Sequence, residues 1–339
     1  MVDVDFINIY VNIKKGYLMQ ERRPGQKRRP SKKRIWLIFP ILLVSVILFI
    51  FYATRPESFR FFKDKIRNMS FDTENTYNAK SMLVVDRTDD NIYVSKLEDE
   101  KQHPASLAKL FTIEYAKGLL KLDTKIKVKQ EALDNVKKGS SSAKLEDGET
   151  YTLKELFAAM LVPSGNDAAY VVADYVGGLK HPEAKTSKEK ISLFIKDLNK
   201  HIKERSWKNT KILDPSGYDY EATTTANELK SVCDILLEED WFRQIVSKPF
   251  YKVKLRNGTK KVWKNTNKFL NPEEKDYYNE RVKGVKTGSL GDDYNLIVLY
   301  DTGKKEFLII SIGSTSDTSR YDDLSYLLKT IDDSYYLNK

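Results

Sequence analysis

At 339 residues, 41 % hydrophobic and 12 % aromatic, the chain is long and apolar enough for one large domain or two modest ones with a buried core. Its formal charge of +10 would suit a polyanionic partner, but residues 1–34 hold ten Lys or Arg against Asp3, Asp5 and Glu21, a net of +7, which leaves about +3 for the rest. The large domain therefore needs no nucleic acid to explain it, and the lone Cys233 rules out an intrachain disulfide or a two-cysteine metal site.

In chain order, the basic head is followed by eighteen uncharged residues, Ile35 to Tyr52, which as a helix would cover about 27 Å, close to the hydrocarbon thickness of a bilayer. The flank after it lacks a small-residue cleavage site, and positive flanks stay cytoplasmic. The expectation is a cytoplasmic tail over 1–34, a transmembrane helix over 35–53 and a polar stalk over 54–79, with residues 80–339 as one external domain. "SMLVVDRTDDNIYVSK" predicts a hairpin, and "LAKLFTIEYAKGLL" after it a helix.

From Leu153 to about Glu239 the pattern is mainly helical, broken at Pro163, at Gly177 and Gly178, and at Pro215. "YKVKLRNGTKKVW" then predicts a hairpin with Asn257 and Gly258 as a two-residue turn. Three more strands, "RVKGVKTGS", "YNLIVLYDTG" and "KEFLIISIGS", precede a last helix. Strands at both ends with helices between them predict an α+β fold, an antiparallel sheet of about five strands with a helical insert against it.

With His103, His181 and His201 the only histidines, each on a loop or surface in this reading, a histidine-based triad is not expected. Lysine can activate serine instead, if burial or cationic neighbours lower its proton affinity. Ser106 and Lys109 in "HPASLAKL" share a helix face at i and i+3, near a helix start whose free N–H groups favour negative charge. Ser141 with Lys144 and Ser187 with Lys190 repeat the spacing in polar, charged surroundings.

In "VPSGNDAA", Ser164 and Asn166 sit in a break between two apolar helices, placed either to aim a hydroxyl and a carboxamide into a cleft or to cap the next helix. "VKTGSL" offers the positive Lys286, the hydroxyl of Thr287 and a Gly288 that lets backbone approach closely. The N–H of Ser289 could join that of Ser106 as an oxyanion hole.

In this order, S-x-x-K, S-x-N and K-T-G form the motif set of the serine β-lactamases and penicillin-binding proteins. The chain most closely resembles the low-molecular-mass D-alanyl-D-alanine carboxypeptidases, through "HPASLAKL", "GSSSAKLEDGETYTLKELFAAMLVPSGNDAA", "NTNKFL" and "GVKTGS". The resemblance implies the β-lactamase/transpeptidase-like fold, no cofactor and no metal. It implies that Ser106 attacks the penultimate D-alanine carbonyl of peptidoglycan stem peptides and Lys109 takes its proton. Ser164 would serve proton delivery, Asn166, Lys286, Thr287, Gly288 and Ser289 would hold the substrate, and β-lactams would acylate Ser106.

Three features depart from the family pattern. Ala108 stands where Thr is common, Gly165 stands where class A β-lactamases carry Asp, and nothing matches the β-rich second domain and C-terminal anchor of many relatives, so anchoring falls to the N-terminal span. Competing readings keep the Ser–Lys chemistry for a D-alanyl esterase, a D,D-transpeptidase or a β-lactamase, or make the protein a non-enzymatic β-lactam sensor or wall-binding scaffold.

Overall fold

The computed structural model describes residues 77–255 and 258–334. The expected tail (1–34), transmembrane helix (35–53) and nearly all of the stalk (54–79) lie outside the described residues, among which no helix is long and apolar enough to cross a membrane.

Strands β1 (Ser81–Asp86) and β2 (Asn91–Lys96) form the first hairpin, and a single 3₁₀ turn, Ala105–Leu107, leads into α1 (Ala108–Leu119). There follow β3 (Lys125–Lys127), α2 (Gln130–Leu133), β4 (Thr150–Thr152), α3 (Leu153–Leu161), α4 (Asn166–Lys180), α5 (Ser187–Glu204), α6 (Ala226–Leu237) and α7 (Asp240–Val246). The chain returns to strand in β5 (Phe250–Lys254), β6 (Lys260–Lys264), β7 (Val282–Leu290), β8 (Asp293–Asp301) and β9 (Glu306–Ser314), and ends in α8 (Asp317–Asp333).

The main sheet is antiparallel, in the order β2-β1-β9-β8-β7, so both ends of the domain contribute to it. Alternating side chains serve opposite faces. Leu83, Val85, Ile297, Leu299, Leu308 and Ile310 face the helical insert, while Met82, Val84, Val298 and Ile309 face Tyr321, Leu324, Leu328 and Ile331 of α8. Burial on both sides explains why β1 reads as a continuous apolar run.

The insert helices start where their caps dictate. Thr152 with Glu155 opens α3 and Thr186 with Glu189 opens α5, each a reciprocal capping box. α5 then buries only Ile191, Phe194, Leu198 and Ile202 of its apolar stripe, whereas α1 is buried all round from Ala108 to Ala116 and is the helix at the centre of the domain.

Two local expectations need correction. In the β5–β6 hairpin the Leu255 N–H donates to Thr259 O (2.8 Å) and Gly258 N–H to Leu255 O (3.0 Å), with Gly258 at φ 89°. Three residues, not two, therefore separate the last paired positions, and glycine supplies the left-handed closing conformation. Ser106 sits in the 3₁₀ turn before α1 rather than in the helix's first turn, because Ala105 enters at φ 47° and the Leu107 N–H donates to Pro104 O (3.1 Å).

Candidate active site

The 3₁₀ turn lies against edge strand β7, and side chains from α1, the α3–α4 break and β7 converge there. Lys109 is fully buried, with its Nζ 2.8 Å from Ser106 Oγ, 2.8 Å from Asn166 Oδ1 and 2.9 Å from Ser216 O. Burial pushes its pKa down to about 7, against the opposing pull of the Asp214 and Asp167 carboxylates. The three contacts suit a neutral amine: two carbonyl oxygens take its two N–H groups and leave the lone pair facing the Ser106 hydroxyl. The arrangement can remove a proton from serine without histidine.

Ser164 and Asn166 do not cap α4, whose N-cap is Gly165 and which has no side-chain cap bond. Ser164, held at φ 62°, accepts a hydrogen bond from Lys286 Nζ at 2.8 Å. Lys286 is buried and also donates to Thr287 O (2.8 Å). Its pKa is pushed well below the lysine range by burial first, then by the positive charges of Lys109 and Arg320. The motif side chains thus form two hydrogen-bonded groups, Ser106–Lys109–Asn166 and Ser164–Lys286, and the short 164–166 segment contributes a residue to each.

Thr287 Oγ1 lies 2.5 Å from Thr266 Oγ1, and Ser289 Oγ accepts from Arg320 at 3.0 Å. A Cβ at Gly288 would stand 3.1 Å from Pro104 O and 3.3 Å from Ser106 N, so only glycine lets β7 come this close to the Ser106 backbone. The neighbouring Ser289 is thereby carried to the same edge. Among the described residues there is no cluster of three or more His, Cys, Asp or Glu able to hold a metal ion.

Residues 68–313 match the D-alanyl-D-alanine carboxypeptidase family. The chain belongs to that family. It is similar to the D-alanyl-D-alanine carboxypeptidase DacF of Bacillus subtilis, 28% identical over 265 residues, covering 76% of this chain and 62% of the relative. It is also similar to the D-alanyl-D-alanine carboxypeptidase of a Streptomyces species (strain K15), 27% identical over 244 residues, covering 69% of this chain and 80% of the relative. The crystal structure of the Streptomyces K15 DD-transpeptidase matches with a TM-score of 0.67 at 25% identity, over 76% of this chain and 98% of that one. The chain thus has the transpeptidase/β-lactamase-like α+β fold, and it spans less than two thirds of the length of DacF.

Within this family fold, the structure accounts for one departure. A Cβ at Gly165 would lie 2.6 Å from Asp167 Oδ1 and 2.8 Å from Ala143 Cβ, so an aspartate has no room there. The space is taken because Asp167 accepts from Ala143 N, Leu145 N and Ser142 Oγ, fastening the 142–145 loop over the start of α4. Ala108, where Thr is common, is fully buried.

The decoy pairs have other uses. Ser141 O accepts from Asn166 N (2.8 Å), and Ser187 Oγ accepts from Asn135 at 3.3 Å.

Several contributors carried no signal of their own in the sequence. Asp214 accepts from the N–H groups of Ser216, Gly217, Tyr218 and Asp219 (2.8–3.0 Å), which folds that loop so that Ser216 O reaches Lys109. The Asp-Pro-Ser-Gly turn pattern was the available clue. Asn295 donates to His103 O and Pro104 O, both at 3.0 Å, pinning the approach to Ser106. Arg320, buried, donates to Gly288 O (3.0 Å) and Asn295 O (3.1 Å).

Proposed function

We propose that the protein is a membrane-anchored serine D,D-carboxypeptidase that removes the terminal D-alanine from peptidoglycan stem peptides through an acyl-Ser106 intermediate. The observation that carries this is the buried Lys109 amine, 2.8 Å from Ser106 Oγ with a pKa lowered to about 7. Ser106 Oγ attacks the penultimate D-alanine carbonyl as its proton passes to Lys109, and the Ser106 and Ser289 N–H groups face the developing oxyanion. Collapse breaks the peptide C–N bond, and the departing D-alanine nitrogen takes a proton through Ser164, which Lys286 holds at 2.8 Å.

Asn166 Oδ1 is committed to Lys109, which leaves its Nδ2 for a substrate carbonyl. Thr287, backed by Thr266, meets the terminal carboxylate in the field of Arg320, which lies against Gly288 and Ser289. Water then cleaves the ester, regenerating Ser106. β-Lactams, which offer an acyl carbonyl and carboxylate in the same relation, acylate the same serine. In this reading residues 35–53 span the membrane, 1–34 are cytoplasmic and the catalytic domain is external.

The test is free D-alanine released from a peptide ending in D-Ala-D-Ala by the full chain, and its loss in Ser106→Ala. Absence of release, with D-alanine freed from an O-ester polymer instead, replaces this reading with the esterase. The similarity to a protein described as a DD-transpeptidase supports a second use of the acyl-enzyme, in which an amine replaces water. It predicts a new peptide product when an acceptor amine is added to the same assay.

A further inference from the structure

The half-buried His103 ring touches both backbone segments that shape the Ser106–Lys109 pair. On one side the Ala105 N–H donates to His103 Nδ1 at 3.2 Å. Ala105 is the residue before the nucleophile, and its φ of 47° is a conformation that an L side chain holds only when its surroundings enforce it. On the other side His103 Nε2 is 2.8 Å from Asp219 O. Asp219 belongs to the loop that Asp214 folds and that presents Ser216 O to Lys109.

The two contacts define the proton's place. Nδ1 receives an N–H and so carries no hydrogen, which leaves Nε2–H to donate to the Asp219 carbonyl. The ring also stacks on Tyr220 of the same loop, with centroids 5.9 Å apart. The loop and the turn touch directly as well, since a Cβ at Gly217 would lie 1.9 Å from Ala105 O. Directly before His103, Gln102 and Thr224 exchange backbone hydrogen bonds of 2.8 and 2.9 Å, so the ring closes a clasp that this bridge begins.

We propose that His103 is a positioning residue for the nucleophile. Its imidazole fixes the backbone entering Ser106 and, through Asp219, the carbonyl that orients the Lys109 amine. His103 itself touches no reacting atom. The inference rests on acylation at Ser106 as proposed above, and adds to it which side chain holds the geometry.

Replacements separate the two contacts. Asn places an acceptor where Nδ1 stands and restores the Ala105 bond; Gln reaches towards Asp219 but leaves the Ala105 N–H without its acceptor; Phe keeps the stacked ring and loses both bonds. The experiment measures the rate constant for acylation of the full chain by a fluorescent penicillin, per titrated active site so that misfolded molecules do not count, together with the saturation constant and the melting temperature.

The expected result is a loss of about ten-fold or more in the limiting acylation rate for His103→Phe, as a displaced nucleophile implies. Its saturation constant should stay within about two-fold, because the β-lactam is held elsewhere. His103→Asn should recover most of the rate and His103→Gln should fall between. Should the Phe variant fail to fold, the Asn and Gln pair decides the matter, equal rates in both being the overturning result. A Phe variant that acylates at the wild-type rate, or an Asn variant as slow as Phe, overturns the role of His103 while leaving Ser106 acylation intact. A wild-type chain that is not acylated at all overturns the proposed function and this inference with it.

Discussion

The Lys109 amine makes a quantitative prediction about pH. Acylation as proposed requires it neutral, and burial lowers its pKa to about 7, so the reactive fraction is about one tenth at pH 6, half at pH 7 and nine tenths at pH 8. The sign follows from the charge: a lowered lysine pKa brings the neutral base into the physiological range, and activity is lost as pH falls through that value. The second-order rate constant for Ser106 acylation, which reports the free protein's ionisations and is followed by stopped-flow with a chromogenic β-lactam whose own ionisation lies outside the range, should rise about ten-fold from pH 5 to 6. It should be nearly flat above pH 8. A surface-like lysine, near 10.4, would be neutral in fewer than about one molecule in a thousand at pH 7. A rate that keeps climbing about ten-fold per pH unit from 8 to 10 would therefore refute the assignment of Lys109 as a burial-activated base.

Two further predictions concern the frame around the site. Gly288→Ala puts a methyl 3.1 Å from Pro104 O and 3.3 Å from Ser106 N; acylation should slow by about ten-fold or more, because strand and turn must move apart, and unchanged kinetics would show that their close approach is not needed. Glu306 joins sheet to insert: it accepts from Arg243 at 2.6 and 3.0 Å and from Arg87, which also donates to Asp234 at 3.0 Å. Burial works to raise its pKa, but the two arginines outweigh it and hold the carboxylate below its usual range. Its contribution is then present above the unfolded-state pKa and lost as pH falls through the folded one. Glu306→Gln should cost about 2 kcal/mol in denaturant melts at pH 7, with the gap to wild type closing below about pH 4; a gap constant with pH would exclude the ionic contribution.

The parts of this molecule legible in its sequence are those fixed by local periodicity or by a rare side-chain pattern. Period two exposes the hairpins, and the apolar stripe of Ile191, Phe194, Leu198 and Ile202 exposes α5. Ser106–Lys109, Ser164–Asn166 and Lys286–Thr287 are visible because each is a polar pattern set in apolar sequence. The short β3–β4 pair and α7 are not legible: three-residue strands and a seven-residue helix carry too few repeats to show a period, and burial against neighbours decides them. The 3₁₀ entry into α1 is not legible for a related reason. It depends on Ala105 at positive φ, a conformation the residue type disfavours and that the contacts with His103, Gly217 and Gly288 impose.

The same distinction explains why spacing alone does not separate Ser106–Lys109 from the other S-x-x-K pairs. Position i+3 provides proximity, but a lysine becomes a base only where water is excluded and its N–H groups are satisfied by acceptors that do not keep it charged. Lys109 meets that condition through Ser216 O, 107 residues away in sequence, and Asn166 Oδ1, 57 away. Lys144 is exposed, so its amine lies in water, outside any apolar wall, however near Ser141 lies. Activation is thus a property of the fold rather than of the motif, and the residues that create it are those least visible in the motif: Asp214, which shapes the Ser216 carbonyl loop, Asn295, which pins Pro104, and His103, which joins the two. A change at any of them should slow the chemistry while leaving all three motifs unaltered.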